Sequence, residues 1–278
     1  MGALEIVITA AVGLLLVLIL IYLLILIRPR RRGIRPDSAL LCDYAHRGLH
    51  GDGVPENSLR AFALACERGV GIELDVQLSR DGEVMVFHDA TLNRMTGRDA
   101  RVCDLDAAEL TTLSLAGSEE TIPTFRQVLE LVDGRVPLLV ELKGESFDTA
   151  LCPKVAALLS AYHGAYCIES FNPLLVRGMH QQLPEVVGGL LYTNVCRDKK
   201  KYSFLNVALT LMALNVLARP DFIAYNQVDR RSLPVRLTTR LYRAPRFAWT
   251  VRDDHALEEA RQNRECPIFE SIAPPKQD

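Results

Sequence analysis

No two of the seven cysteines stand in a Cys-x-x-Cys pair. Cys42, Cys66, Cys103, Cys152, Cys167, Cys196 and Cys266 are odd in number and widely scattered, several of them inside apolar runs. A thiol there behaves as a small hydrophobe. The pattern disfavours both a disulfide framework and a cysteine zinc site, and it suits a reducing compartment. Also missing is any Gly-x-Gly-x-x-Gly or Walker-type loop, which disfavours dinucleotide and nucleotide folds. Without a Gly-x-Ser-x-Gly elbow, serine-hydrolase chemistry is disfavoured too. Charge of one sign is lacking as well, since 32 Lys and Arg against 34 Asp and Glu leave a formal −2. Phosphate-backbone binding needs extended basic faces. No extended basic face is seen outside the cluster at 28–35, so nucleic acid is not the expected partner.

What the chain does have starts with a long apolar run. Ile6–Ile27 is 22 residues without charge or proline. At 1.5 Å per residue that crosses the roughly 30 Å hydrocarbon core of a bilayer. Arg28, Arg30, Arg31, Arg32 and Arg35 follow, whereas Glu5 is the only charged side chain before the run. The positive-inside rule then puts residues 1–5 outside and everything after Arg28 in the cytoplasm, with the arginines at anionic headgroups. A cleaved signal peptide calls for basic residues first, a shorter run and a small-residue cleavage site. None of these is seen. The expected organisation is a single-pass anchor in the cell membrane (6–27), a basic linker (28–37) and one folded domain (38–278).

Within that domain nine short strands alternate with helical stretches: Leu40–Ala45, the strand carrying Glu73 and Asp75, Glu83–Phe87, Val136–Leu142, Ala165–Ile168, Val186–Tyr192, Asp221–Tyr225, Phe247–Val251 and Ile268–Phe269. Such alternation predicts parallel β/α units and a (β/α)8 TIM-type barrel. A barrel needs eight strands, and the weak Ile268 strand is the expected surplus. From Asp75 to Val84 there is no room for a helical crossover, which predicts an irregularity near strands 2 and 3. Pro55-Glu56-Asn57 opens a helix, with Asn57 as its N-cap. Residues 90–123 break the alternation and read as a small insertion. Phe204–Leu217 reads as one apolar helix too short to span a bilayer. Either it packs in the core, or part of it rests with Lys199–Lys201 on the membrane surface.

The chemistry gathers around Gly71–Asp89. Glu73 and Asp75 stand i, i+2 in an apolar strand and so share one face. Two buried acids on one face repel each other unless a cation lies between them. The next strand delivers His88 at its end. Glu141 and Lys143 form a second i, i+2 pair, and His46 and Arg47 end the first strand. In a barrel all these strand ends share one mouth. Three carboxylates could hold Mg²⁺ or Ca²⁺ by oxygen alone. Two histidines can divide acid and base work, while Arg47 and Lys143 offer charge to an anion. Phosphoryl transfer fits this set. Glu56 is read as a helix-start residue or an outer metal contact, and Asp89 as a partner for His88 or the start of the next turn. His50, His163, His180 and His255 are read as surface residues.

His46-Arg47-Gly48, Pro55-Glu56-Asn57-Ser58, Glu73-Leu74-Asp75-Val76, Phe87-His88-Asp89, Pro123-Thr124-Phe125 and Glu141-Leu142-Lys143 resemble the ordered motifs of the glycerophosphodiester phosphodiesterases. Ser170-Phe171 and Trp249-Thr250-Val251 resemble the later ones. The likeness runs from Tyr44 to Val251 and is closer in the first half. It implies a divalent metal on Glu73, Asp75 and Glu141, His46 and His88 as the acid/base pair, Arg47 and Lys143 on the phosphate, and Trp249 as a substrate wall. It also implies a reaction in which a glycerol hydroxyl attacks phosphorus, the alcohol leaves and the cyclic phosphate is hydrolysed. The substrate class is a glycerophosphodiester or a lysophospholipid-like diester. Two departures stand out: Glu270-Ser271-Ile272-Ala273-Pro274 replaces a usual Thr-Asp-x-Pro, and Arg252 stands where the family often has Asn. Both are expected on the substrate side of the mouth, away from the metal and histidine set. Rival readings are a phosphatidylinositol phospholipase C-like or phospholipase D-like enzyme, and a catalytically silent headgroup-binding barrel. The silent barrel is disfavoured because no histidine or acid of the set is lost.

Overall fold

The computed structural model describes residues 2–30, 34–35, 38–144 and 147–272. Arg31, Arg32 and Pro36 of the basic segment, and Ala273 and Pro274 of the tail motif, lie outside the described residues. The strands are β1 (Tyr44–Ala45), β2 (Gly71–Leu78), β3 (Val84–Val86), β4 (Leu138–Leu142), β5 (Tyr166–Ser170), β6 (Gly188–Tyr192), β7 (Phe222–Asn226), β8 (Arg246–Val251) and β9 (Cys266–Phe269). Eight of them pair in parallel, and β9 returns to β1, so the sheet closes into a TIM-type barrel.

The surplus strand is therefore β3 and not the Ile268 strand. β3 runs antiparallel to β2, with Val86 opposite Val76. The few residues between Leu78 and Val84 allow only a hairpin, which is the irregularity expected there. Ile268 is fully enclosed and makes the barrel's closing contact, Tyr44 lying opposite it. Its local apolar signal is weak because Pro267 and Glu270 bracket it. The first strand is also shorter than expected. Leu40 and Leu41 precede it in a turn that packs with Tyr44 and Ile268.

Alternation along the strands sorts the side chains. Outward residues such as Ile72, Leu74, Val140 and Ile168 pack against the helices. Inward residues at the amino end, including Tyr44, Leu139, Cys167, Phe222 and Phe247, fill the barrel with apolar bulk. Phe222 lies so close to β6 that a Cβ at Gly189 would come within 2.1 Å of its ring. On β2, β4 and β5 the inward positions one layer higher are acidic. The insertion has its own small core, with Leu92, Met95, Val102, Leu110 and Ile122 packed on Met85 and Phe87.

At the other end of the sequence, Ala3–Leu26 is the one helix among the described residues long and apolar enough to cross a membrane. Its last turn, Tyr22–Leu26, widens to π geometry, and the chain continues down the side of the barrel. The Tyr22 hydroxyl donates to the Leu211 carbonyl at 3.0 Å, Asn215 Nδ2 to the Ile27 carbonyl at 3.0 Å, and the Arg30 N–H to the Pro220 carbonyl at 2.9 Å. Arg30 thus does not sit at a headgroup layer: its guanidinium lies 3.5 Å from Asp221 and donates to the Pro184 carbonyl at the barrel's amino end. The 204–217 stretch is not one helix. It splits into Phe204–Thr210 and Asn215–Ala218, with Met212 between them at φ +54°. Its apolar residues divide accordingly, Phe204 and Leu205 facing out while Met212 and Ala218 are buried.

Candidate active site

Sheet register assembles the acids. β2 and β4 set Asp75 beside Glu141, and β4 and β5 set Glu141 beside Glu169. Glu73 is two residues below Asp75 on the same inward face. Glu73, Asp75 and Glu141 are all buried, and each offers a carboxylate oxygen within 4.8 Å of the others. These three positions therefore meet as their spacing predicts.

Each acid carries the mark of that enclosure. Burial, then Asp75 and Glu141, push Glu73 well above the usual carboxylate range. Burial also pushes Glu141 up to about 7 against the pull of Lys143. Burial would raise Asp75 likewise, but Lys143, His88 and Arg47 outweigh it and hold this carboxyl well below its ordinary value. The Lys143 ammonium sits 2.8 Å from Asp75 and 2.7 Å from Glu141. Arg47 turns its backbone N–H to Glu73 at 2.8 Å and one Nη to Glu56 at 2.8 Å. Both cations read for a phosphate are thus already engaged by acids. An oxygen-only set whose members repel one another suits a hard divalent cation.

The two histidines share a design. His46 Nδ1 lies 2.7 Å from Glu270 Oε2, and His88 Nδ1 lies 2.6 Å from Asp89 Oδ1. A carboxylate only accepts, so each Nδ1 carries the proton and each Nε2 is left for exchange. Burial lowers the His88 pKa, and Lys143 and Arg47 add to this against the pull of Asp75. Asp89 does orient His88, and Arg94 bonds the same carboxylate through Nε. Arg94 also grips Glu56, with Nη2 at 2.6 Å, so the insertion is tied to the mouth through Glu56 and Arg47.

Several expectations need correction. The departures at Arg252 and Glu270 do reach the histidine set. The Arg252 guanidinium pairs with Glu270, whose other oxygen bonds His46. The hydrogen bond from His46 brings Glu270 down to about 2, Arg252 acting in the same direction against burial. Asn57 is no N-cap: its φ is +56°, and Ser58 caps the following helix by accepting from the Ala61 N–H. Instead Asn57 Nδ2 donates to Asp75 Oδ2 at 2.8 Å. His50 is half-buried, with a ring nitrogen within 4.8 Å of polar atoms of His46 and Glu270. His180 packs inside against Asp221 and the Ala218 carbonyl. His163 and His255 are exposed, as expected. Trp249 is half-buried at the end of β8, its indole N–H held by the Ala224 carbonyl at 3.1 Å and its ring edge-on to Phe171.

Glu169 is the acid that sequence reasoning passed over. It is fully enclosed, its Oε2 has no hydrogen-bond partner, and burial followed by Glu73 and Glu141 raises its carboxyl well above the usual range. A raised folded-state value means that the folded chain keeps a proton the unfolded chain releases. The penalty is absent below about pH 4.3 and grows as pH climbs. In EDTA, Glu169→Gln should therefore raise Tm at pH 8 by roughly 2–4 °C and leave it unchanged near pH 4. A gain of equal size at both pH values in thermal melts would contradict this account.

Comparison with known proteins agrees with the fold and the residues. The model of the glycerophosphoryl diester phosphodiesterase family matches residues 46–267. A glycerophosphodiester phosphodiesterase of Caldanaerobacter subterraneus is 36% identical over 160 residues, covering 53% of this chain and 65% of that relative. Glycerophosphodiester phosphodiesterase 1 of Homo sapiens is 30% identical over 159 residues, 53% of this chain and 48% of its own length. The aligned part thus spans between about half and two thirds of these relatives. Among solved structures, an Oleispira antarctica phosphodiesterase in complex with the product sn-glycerol-3-phosphate superposes with a TM-score of 0.68 at 23% identity, covering 82% of this chain and 92% of that one. A glycerophosphodiester phosphodiesterase from Thermotoga maritima gives 0.63 at 25% identity, covering 82% and 94%.

Proposed function

Since the chain belongs to the glycerophosphoryl diester phosphodiesterase family, we propose that it hydrolyses glycerophosphodiesters to glycerol phosphate and an alcohol, with one divalent ion, Mg²⁺ or Ca²⁺, held by Glu73, Asp75 and Glu141. The observation that carries this reading is the pair of carboxylate-oriented imidazoles, His46 with Glu270 and His88 with Asp89, at the mouth above a buried acid triad. The ion would supply positive charge to the phosphoryl oxygens as negative charge gathers there. Lys143 and Arg47, beside the same acids, would offer positive charge to the phosphate.

The lowered His88 is neutral at pH 7 and takes the proton from the attacking glycerol hydroxyl. The P–O bond to the alcohol breaks as His46, its imidazolium steadied by Glu270, returns a proton to the leaving oxygen. Water then opens the cyclic phosphate with the two roles exchanged. Trp249, edge-on to Phe171, walls the substrate. The Ala3–Leu26 helix holds the enzyme in the cell membrane, and the arginines that follow it favour a cytoplasmic barrel. The purified full chain should release glycerol phosphate from glycerophosphocholine or glycerophosphoglycerol when either metal is supplied. Phosphate that appears on the alcohol, or a cyclic phosphate that accumulates unhydrolysed, would point to phospholipase C-like chemistry instead.

A further inference from the structure

The chain beyond the span runs beside the barrel in a definite direction. Tyr22 meets Leu211, Ile27 meets Asn215 and Arg30 meets Pro220. Leu211 follows Thr210, whose carbonyl accepts from the Tyr192 hydroxyl at the carboxyl end of β6. Pro220 lies just before β7, at the amino end, beside Asp221. Residues 22–30 thus descend from the mouth rim to the closed end, and the helix above Tyr22 leaves on the mouth side. The part above the rim is Ala3–Ile21, 19 residues with none buried. At 1.5 Å per residue it is about 28 Å long, nearly the whole hydrocarbon thickness. Little slack remains between the rim and a bilayer crossed by that helix.

The rim itself is unusual for a soluble surface. Apart from the Ala3–Ile21 helix, the exposed large apolar side chains among the described residues lie on segments leaving the carboxyl ends of strands, with Leu24, Ile25 and Leu241 as exceptions. Tyr202 is 82% and Phe204 91% exposed, with Leu205, Phe171 and Val228 also outward. Lys199, Lys200 and Lys201 precede them, all exposed. Ser203 caps the Phe204–Thr210 helix, and the buried Asn206 ties it to the Lys201 carbonyl, so these side chains are presented by an ordered segment. Lysines beside outward aromatic and aliphatic side chains match an anionic headgroup layer over acyl chains.

We infer that the Lys199–Leu211 segment rests in the headgroup layer of the membrane crossed by the Ala3–Ile21 helix, so that the open end of the barrel faces the bilayer and draws a single-chain, lysophospholipid-type diester directly from it. This rests on the membrane-anchor reading given above. The barrel stands mouth-up under the leaflet instead of hanging from a free tether. A diester that stays in the membrane reaches the acids and histidines without crossing bulk water, whereas a soluble diester enters from the side.

The test uses the full chain in vesicles of phosphatidylglycerol and dibrominated phosphatidylcholine, in a Trp249→Phe background, with one reporter tryptophan at a time. Ile8→Trp reads the span, Phe204→Trp and Leu205→Trp the rim, and Leu241→Trp the opposite end of the barrel. Bromolipid should remove about half or more of the emission at 8 and at a rim position, and little at 241. Quenching at 8 with 204 and 205 as bright as 241 overturns the inference and leaves the anchor standing. Bright emission at 8 removes the anchor and the inference with it. In the chain with native Trp249, Phe204→Ser with Leu205→Ser should slow hydrolysis of vesicle-borne lysophosphatidylcholine about tenfold while glycerophosphocholine is cleaved at the unaltered rate. An equal effect on both substrates counts against delivery from the bilayer.

Discussion

Glu73→Gln is expected to lower kcat/KM for glycerophosphocholine by about 10³-fold or more, and EDTA to do the same to the unaltered chain, a loss of roughly 4 kcal/mol of transition-state stabilisation. The carboxyls of Glu73 and Glu141 are raised by burial and by their acidic neighbours, so the three acids strain against one another. Lys143 bridges only Asp75 and Glu141 and leaves Glu73 to the Arg47 N–H. A divalent ion relieves that strain. The glutamine, neutral and isosteric, relieves it without one, and in EDTA the variant should melt above the parent even though it is nearly inactive. The pH dependence follows from Glu141 at about 7. Below that pH it holds a proton that the ion must displace, and Glu73, raised well above the usual carboxylate range, holds another, so apparent metal affinity rises with pH. Calorimetric titrations from pH 6 to 8 check the slope. Activity that survives both EDTA and Glu73→Gln, or an affinity flat with pH, removes the ion from these three acids.

Much of this was readable along the chain because strands obey a rule of two. Glu73 with Asp75, and Glu141 with Lys143, reveal themselves by spacing, and His46 and His88 by standing at strand ends. The partner of His88, Asp89, stands next to it in the sequence, but the partner of His46 was not readable, because that contact is made by closure. Glu270 reaches His46 across a separation of 224 residues, only because β9 comes round to pair with β1. The strand that performs the closure has four residues and a proline, which is why its local signal ranked lowest. Glu169 stood in plain view at the end of β5, but a single acid has no i, i+2 companion. Only the β4–β5 register reveals that it faces Glu141. Asn57 shows the opposite failure, where a sound local rule picked the wrong neighbour. Ser58 is as good a cap, and a left-handed backbone at Asn57 aims its amide at Asp75 instead. The insertion's boundaries were visible as lost periodicity, but the Arg94–Glu56–Arg47 chain that couples it to the mouth exists only in the folded barrel.

His46→Ala and His88→Ala should each lower kcat on glycerophosphocholine by about 10²–10⁴-fold, the usual range for a positioned acid or base. Such losses alone would not separate proton transfer from simple damage to the mouth, since each imidazole is also a hub: His46 anchors Glu270 and through it Arg252, and His88 anchors Asp89 and through it Arg94. The leaving group separates them. An alkoxide such as choline's needs a proton as the P–O bond breaks, whereas 4-nitrophenolate does not. With a glycerophospho-4-nitrophenyl ester, the acid variant should recover most of its deficit and the base variant almost none. His88 is the expected base, because burial with Lys143 and Arg47 lowers its pKa. The recovery should then fall to His46→Ala. Glu270→Gln belongs with it, since it takes the negative charge from the His46 imidazolium while leaving a group that can still accept from Nδ1. It should cost less than the alanine and should likewise matter little for the nitrophenyl ester. Recovery in His88→Ala instead would exchange the two roles. No recovery in either variant would mean that neither histidine protonates the departing alcohol, and the mouth would then need another acid.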